Sequence, residues 1–183
     1  MCLKHCKTKR VKIKDGRTIL LRRPKISDVK QLKDYINFLV DEDALININK
    51  KQTLKAERTW LKDLLRTIRK NKIHTLLAEC NGEIIGVVEL RKSKWRQSHI
   101  AEVGISVKKN YRRLGVGTTL MKRILEIGKM DKEIKLIYIR VYEPNKPAAK
   151  MYKKLGFKKV ARLKNRVQYK GKLYDEFILD FKG

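Results

Sequence analysis

The sequence predicts a mixed α/β domain in which β-α-α-β-β-β-α-β-α-β-β is the element order. Three observations carry that prediction. Apolar residues recur at helical spacing from Val29 to Ile68 and switch to strand-like runs from Ile73 onward. Asn81-Gly82 stands between two of those runs, and this pair accepts the positive φ values that a tight hairpin turn demands. The 183 residues, 42% of them apolar, suffice for one buried core and contain no linker or internal repeat.

Each element has its own warrant. Thr18–Leu21 is a short apolar strand, stopped by Arg22-Arg23-Pro24. Ser27 and Asp28 open a first helix whose Val29, Leu32, Ile36, Leu39 and Val40 share one face. Residues 41–52 lack a period and read as a loop, after which Thr53 caps a second helix carrying Leu54, Leu61, Leu64, Leu65 and Ile68. Ile73–Glu79 and Glu83–Leu90 form the hairpin, and Ile100–Val107 follows as a third strand of that run. Leu120, Met121, Ile124 and Leu125 define an amphipathic helix, and Lys135–Tyr142 alternates as a β-branched strand. Asn145–Leu155 is a short helix capped by Asn145 and ended by Gly156. Val167–Tyr169 and Leu173–Phe181, joined around Lys170-Gly171, close the domain as a hairpin.

Composition narrows the function classes. Forty-seven Lys and Arg against 19 Asp and Glu give a net charge of +28. The basic residues are spread along the chain without a long run, and aromatics make up only 7%, so a solvated surface explains the charge better than a dedicated nucleic-acid face. Weak nonspecific nucleic-acid binding remains an expectation of such a charge. The longest stretch without a charged residue is Leu114–Met121, too short to span a membrane. The basic start lacks the apolar segment of a secretory signal, and the odd cysteine count argues against a disulfide framework. These features predict a cytoplasmic protein, monomeric or homodimeric, with residues 1–12 as a basic flexible tail and 13–183 as the domain. Cys2, His5 and Cys6 lack a fourth partner and the usual ligand spacing, so no metal is expected.

The chemistry-bearing segment runs from Val103 to Thr118: a strand, a basic turn with two glycines, then a helix start. Glycines let backbone N–H groups converge, and the helix start adds unpaired donors and partial positive charge, which together make a diphosphate cradle. Leu120 stands where a dinucleotide fingerprint needs its third glycine, and no Gly-Lys-Ser/Thr marks a nucleotide-triphosphate loop.

Arg112-x-x-Gly115-x-Gly117 resembles the acetyl-CoA pyrophosphate motif of the GNAT superfamily of N-acetyltransferases. Asn145-x-x-Ala148, continuing to Tyr152-x-x-x-Gly156-Phe157, is similar to that superfamily's second signature, one strand further on. The resemblance implies a mostly antiparallel sheet flanked by helices and transfer of an acetyl group from acetyl-CoA to a primary amine by direct attack. The amine could belong to a small molecule or amino acid, a protein N-terminus or a lysine. It also implies that Ile105, Ser106 and Val107 meet the pantetheine arm. Arg112, Arg113, Leu114, Gly115, Val116, Gly117 and Thr118 would cradle the pyrophosphate, Asn145 would touch the co-substrate, and Tyr152 would lie near its sulfur.

Such a reaction needs the neutral amine, and an ammonium with pKa ~10.4 is neutral only about 0.04% of the time at pH 7. A base therefore raises the reactive fraction, and a hydroxyl that protonates the departing thiolate completes the exchange. Glu102 is the expected base and Tyr152 the expected acid, with the N–H of Ile105 or Val107 stabilising the oxyanion. Glu89 is a more distant alternative acting through water. Where other relatives carry a glutamate base on the next strand, this chain has Arg140. The competing reading is a catalytically silent module that binds CoA or polyanions and engages nucleic acid.

Overall fold

The computed structural model describes residues 8–182. Eight strands form one sheet in the order β1-β2-β3-β4-β5-β6-β8-β7. They are β1 (Lys9–Lys12), β2 (Thr18–Arg22), β3 (Ile73–Cys80), β4 (Glu83–Lys92), β5 (Ile100–Val107), β6 (Leu136–Tyr142), β7 (Lys158–Tyr169) and β8 (Lys172–Phe181). The helices are α1 (Val29–Asp41), α2 (Leu54–Arg69), α3 (Val116–Met130) and α4 (Lys146–Lys154). Every neighbouring pair is antiparallel except β5 and β6. That parallel pair needs a crossover, and α3 supplies it.

The sheet is buried on both faces at its centre. Ile73 and Leu77 of β3 pack with Leu32, Tyr35 and Leu39 of α1 and Leu61 and Leu64 of α2. Leu76 and Ala78, on the opposite face of the same strand, join Leu120, Met121 and Ile124 of α3. Alternation along β3 thus feeds two cores, which is why Leu76, Leu77 and Ala78 are apolar in succession. The local signals act as expected: the Thr53 side chain accepts the Ala56 N–H at 3.2 Å, and Asn81 and Gly82 take φ of 49° and 78° in the β3–β4 turn.

Two differences from the sequence reading stand out, beside a buried charge cluster that the sequence did not disclose. Lys9–Lys12, assigned above to a tail, pair with β2 as an edge strand. Residues 1–7, with Cys2, His5 and Cys6, lie outside the described residues. The closing hairpin is longer than expected, because β7 begins at Lys158 rather than at Val167. A buried charge cluster, finally, pins the end of α3 to the sheet: Lys92 Nζ lies 2.6 Å from Asp131, and His74 Nε2 lies 3.3 Å from the same carboxylate. His74 is therefore structural, while His99 is exposed. Among the described residues no helix is long and apolar enough to cross a membrane, and no three His, Cys, Asp or Glu side chains gather as metal ligands.

Candidate active site

The site begins where the sheet divides. β5 and β6 pair from Ile100↔Leu136 to Val103↔Ile139 and no further. Gly104–Val107 continue beside β4 alone, while Arg140–Tyr142 continue beside β8 alone. The Lys108 N–H donates toward β4, to Ile85 O at 2.9 Å. Strand alternation then turns the N–H groups of Val107 and Ile105 toward the opening.

At the end of β5 the chain bends into α3. Arg113 has φ 62° and Gly115 φ 92°, a left-handed pair that curls the backbone before the helix. The first backbone bond of α3 runs from Thr119 N–H to Gly115 O at 2.9 Å. The N–H groups of Leu114, Gly115, Val116, Gly117 and Thr118 therefore find no backbone acceptor among the described residues. Unpaired donors at the positive end of a 15-residue helix are the features an anion site requires. Arg112 holds this bend in place: its Nε donates to Val107 O at 2.9 Å, and its guanidinium pairs with Glu42 at the end of α1. Arg112 thus braces the cradle, leaving exposed Arg113 as the freer cation.

Beside the division lies a cavity of about 390 Å³. Strands β4, β5 and β6 form its floor, while α1, α2 and the 42–53 connection form its walls. The structure brings Glu102, Ile105, Ser106, Asn145 and Tyr152 together in its lining, whereas Val107 and the 112–118 cradle lie outside it. Ser106 Oγ and Tyr35 OH are 2.8 Å apart, so the wall and floor are joined. Asn145 caps α4, its side chain accepting the Ala148 N–H at 3.4 Å. Tyr152 is buried, its hydroxyl makes no hydrogen bond among the described residues, and burial pushes its pKa well above the ordinary 10.

The carboxylates differ sharply. Glu102 is engaged, accepting from Arg140 Nε at 2.8 Å and from Tyr138 OH at 3.0 Å. Glu89 faces the same cavity from β4, opposite Gly104, and burial raises its pKa despite Arg91 at 3.4 Å. Glu57, on α2, also lines the cavity, and burial pushes it from 4.5 to about 7. The sequence reading passed over Glu57 and Tyr35. A signal existed for Glu57, which precedes Leu61 by four and Leu64 by seven positions and so shares the apolar face of α2.

A family model described as the acetyltransferase (GNAT) family matches residues 41–157, more than half of the chain. The chain belongs to the GNAT acetyltransferase family. An N-alpha-acetyltransferase of Sulfurisphaera tokodaii is 28% identical over 137 residues, covering 69% of this chain and 80% of that protein. The L-amino acid N-acetyltransferase AaaT of Escherichia coli is 33% identical over 86 residues, covering 46% of this chain and about half, 53%, of that one. YncA of Salmonella typhimurium, solved with its cofactor acetyl-CoA, superposes with a TM-score of 0.77 at 16% identity, covering 90% of this chain and 93% of that one. This GNAT chain is accordingly an acyltransferase that moves the acetyl group of acetyl-CoA to an amine. The unpaired amides of 114–118 and the open edge of β5 fit a diphosphate joined to an amide-bearing arm.

Proposed function

We propose that this GNAT acetyltransferase modifies the α-amino group of a polypeptide. Acetyl-CoA supplies the activated acetyl thioester, with Arg113 and the N–H groups of 114–118 holding its diphosphate and the free edge of Ile105 and Val107 pairing with its arm. The observation that carries the reading is the division of β5 from β6 directly beside a solvent-open cavity, which gives donor and acceptor separate entrances. The acceptor side is rimmed by Ile48 and Trp60, which are 42% and 39% exposed, apolar surface suited to a chain longer than a free amino acid. The name and extent of the Sulfurisphaera relative support the same acceptor class.

In this reading Glu89 removes the proton from the incoming ammonium, because burial favours its protonated form and makes it the better base. Glu102 was expected in that role, but its oxygens already accept from Arg140 and Tyr138, so it orients the floor instead. The amine lone pair then attacks the thioester carbon, the N–H of Ile105 or Val107 meets the developing oxyanion, and the C–S bond breaks. Tyr152 donates its proton to the leaving thiolate, the attacking nitrogen sheds its second proton to become the neutral amide and so restores Tyr152 through water in the open cavity, and Glu89 releases its proton to solvent. The net charge of +28 supports weak, salt-sensitive nucleic-acid contact as a property of the surface rather than as the function.

The test supplies acetyl-CoA with a short peptide and, separately, with its first residue as a free amino acid, and reads thiol release and acetylated product by mass. We expect the peptide to be acetylated at its α-amine and to be the better acceptor. Faster turnover of the free amino acid, or acetylation only at lysine side chains, would replace the polypeptide assignment.

A further inference from the structure

One buried charge has no use in the chemistry above. Glu57 is only 7% exposed, takes part in no ion pair and no side-chain hydrogen bond among the described residues, and lines the acceptor cavity. Its oxygens stay within reach of water in the cavity, and a largely desolvated carboxylate with no protein partner is stabilised by a cationic ligand that supplies one. The charged and titratable groups that share the cavity lining with it are Glu89 from β4, Glu102 from β5, Arg140 and Tyr142 from β6, Tyr35 from α1 and Tyr152 from α4. Arg140 is already paired with Glu102, at 2.8 Å, and the tyrosines are neutral. Glu89 has only long contacts, to Arg91 at 3.4 Å and Thr75 at 3.5 Å, so it and the unpaired Glu57 are the two carboxylates left for a reaction that consumes one ammonium.

We infer that Glu57 is the counter-ion for a second positive charge on the acceptor, a basic side chain borne by its first or second residue. The inference rests on the proposed use of this cavity by the acceptor. Position separates the two acids: Glu89 stands beside Gly104 on the floor where the sheet divides, whereas Glu57 stands in the first turn of α2, on the helical wall. Leu32 and Ile36 of α1 and Ile46 of the connection share the lining, apolar surface against which the methylenes of a basic side chain can lie. The result is an acidic acceptor cavity inside a protein whose surface is strongly basic, so the site selects against the charge that surrounds it.

The pH dependence follows. With a pKa near 7, Glu57 is largely neutral at pH 6 and largely ionised at pH 8, so recognition of the second cation strengthens across that interval.

The experiment compares peptides carrying arginine at the first or second position with peptides carrying citrulline there, a neutral isostere without a further acylatable amine. Turnover of acetyl-CoA is read from pH 6 to 8. We expect kcat/KM to favour arginine by about 10–100-fold at pH 8, for one position, and to favour it less at pH 6. Glu57→Gln should bring the two peptides within about threefold of each other at every pH, with the KM for acetyl-CoA unchanged and the citrulline rate retained. Equal use of arginine and citrulline by the wild type would overturn the inference without needing any variant. An equal loss of both rates in Glu57→Gln would assign this residue to the reacting amine and overturn it as well. Absence of turnover with every peptide would instead sink the polypeptide assignment, which keeps the two failures apart.

Discussion

Burial acts in the same sense on two groups that share the cavity and suits them to opposite uses. It raises Tyr152, which therefore stays protonated through neutral and mildly alkaline pH and remains able to donate to a thiolate whose conjugate acid has pKa about 8.5. It also raises Glu89, which in the proposed mechanism gains affinity for the proton it takes from the amine. Tyr152→Phe should keep the fold, since the ring and its contact with Phe157 at 5.9 Å survive, and should lower kcat about 10–1,000-fold with little change in acetyl-CoA affinity. Glu89→Gln should lose rate chiefly near neutral pH and recover toward pH 9, where an α-amine of pKa about 8 deprotonates without help. Steady-state kinetics across that range checks both, and a Tyr152→Phe enzyme with wild-type kcat would remove the general acid. At this scale the sequence disclosed Tyr152 through its motif and Glu102 through its strand. Their roles depended on neighbours far along the chain: the 36 positions that separate Glu102 from Tyr138 hide the bond that engages the carboxylate.

At the scale of elements, the strand-turn-helix unit from β5 to α3 was legible because its geometry is written into backbone requirements. Gly115, at φ 92°, supplies the left-handed step before the helix, and an alanine there is strained by about 1–2 kcal/mol. Gly117 has no such φ, and a Cβ on it would meet the Met151 sulfur at an ordinary 3.5 Å. Gly115→Ala should thus lower both thermal stability and acetyl-CoA affinity, by about tenfold for the latter, while Gly117→Ala stays near wild type in stability. Calorimetric titration with acetyl-CoA together with melting curves distinguishes them, and equal behaviour of the two variants would contradict the cradle geometry.

The elements that escaped the sequence reading failed for a common physical reason. β7 from Lys158 to Arg166 is an edge strand with lysine and arginine at most of its exposed positions, and its alternation is limited to Ala161 and Leu163 before Asn165, at φ 54°, interrupts it. β1 is likewise an edge, three-quarters basic. Charge protects such edges from unwanted pairing and also erases the pattern by which strands are read. The 42–53 connection has no period either, and its order comes from distant partners: Asn37 pairs with Gln52 at 2.7 Å, and Tyr142 bonds to Asn47.

The whole molecule combines a surface of net charge +28 with a cavity whose carboxylates outnumber its cations. The positive field favours capture of polyanionic acetyl-CoA, while the interior is arranged to receive a cation. Both depend on the sheet dividing after Val103 and Ile139, so that division is the central claim. Its most direct test follows backbone amides by nuclear magnetic resonance while acetyl-CoA is titrated into the protein. The amides of Ile105, Val107 and residues 114–118 should shift and become protected from exchange, while Lys108, already bonded to Ile85 O, changes little. Protection confined to other residues, or equal effects at Lys108 and Val107, would contradict the placement of acetyl-CoA in the opening between β5 and β6.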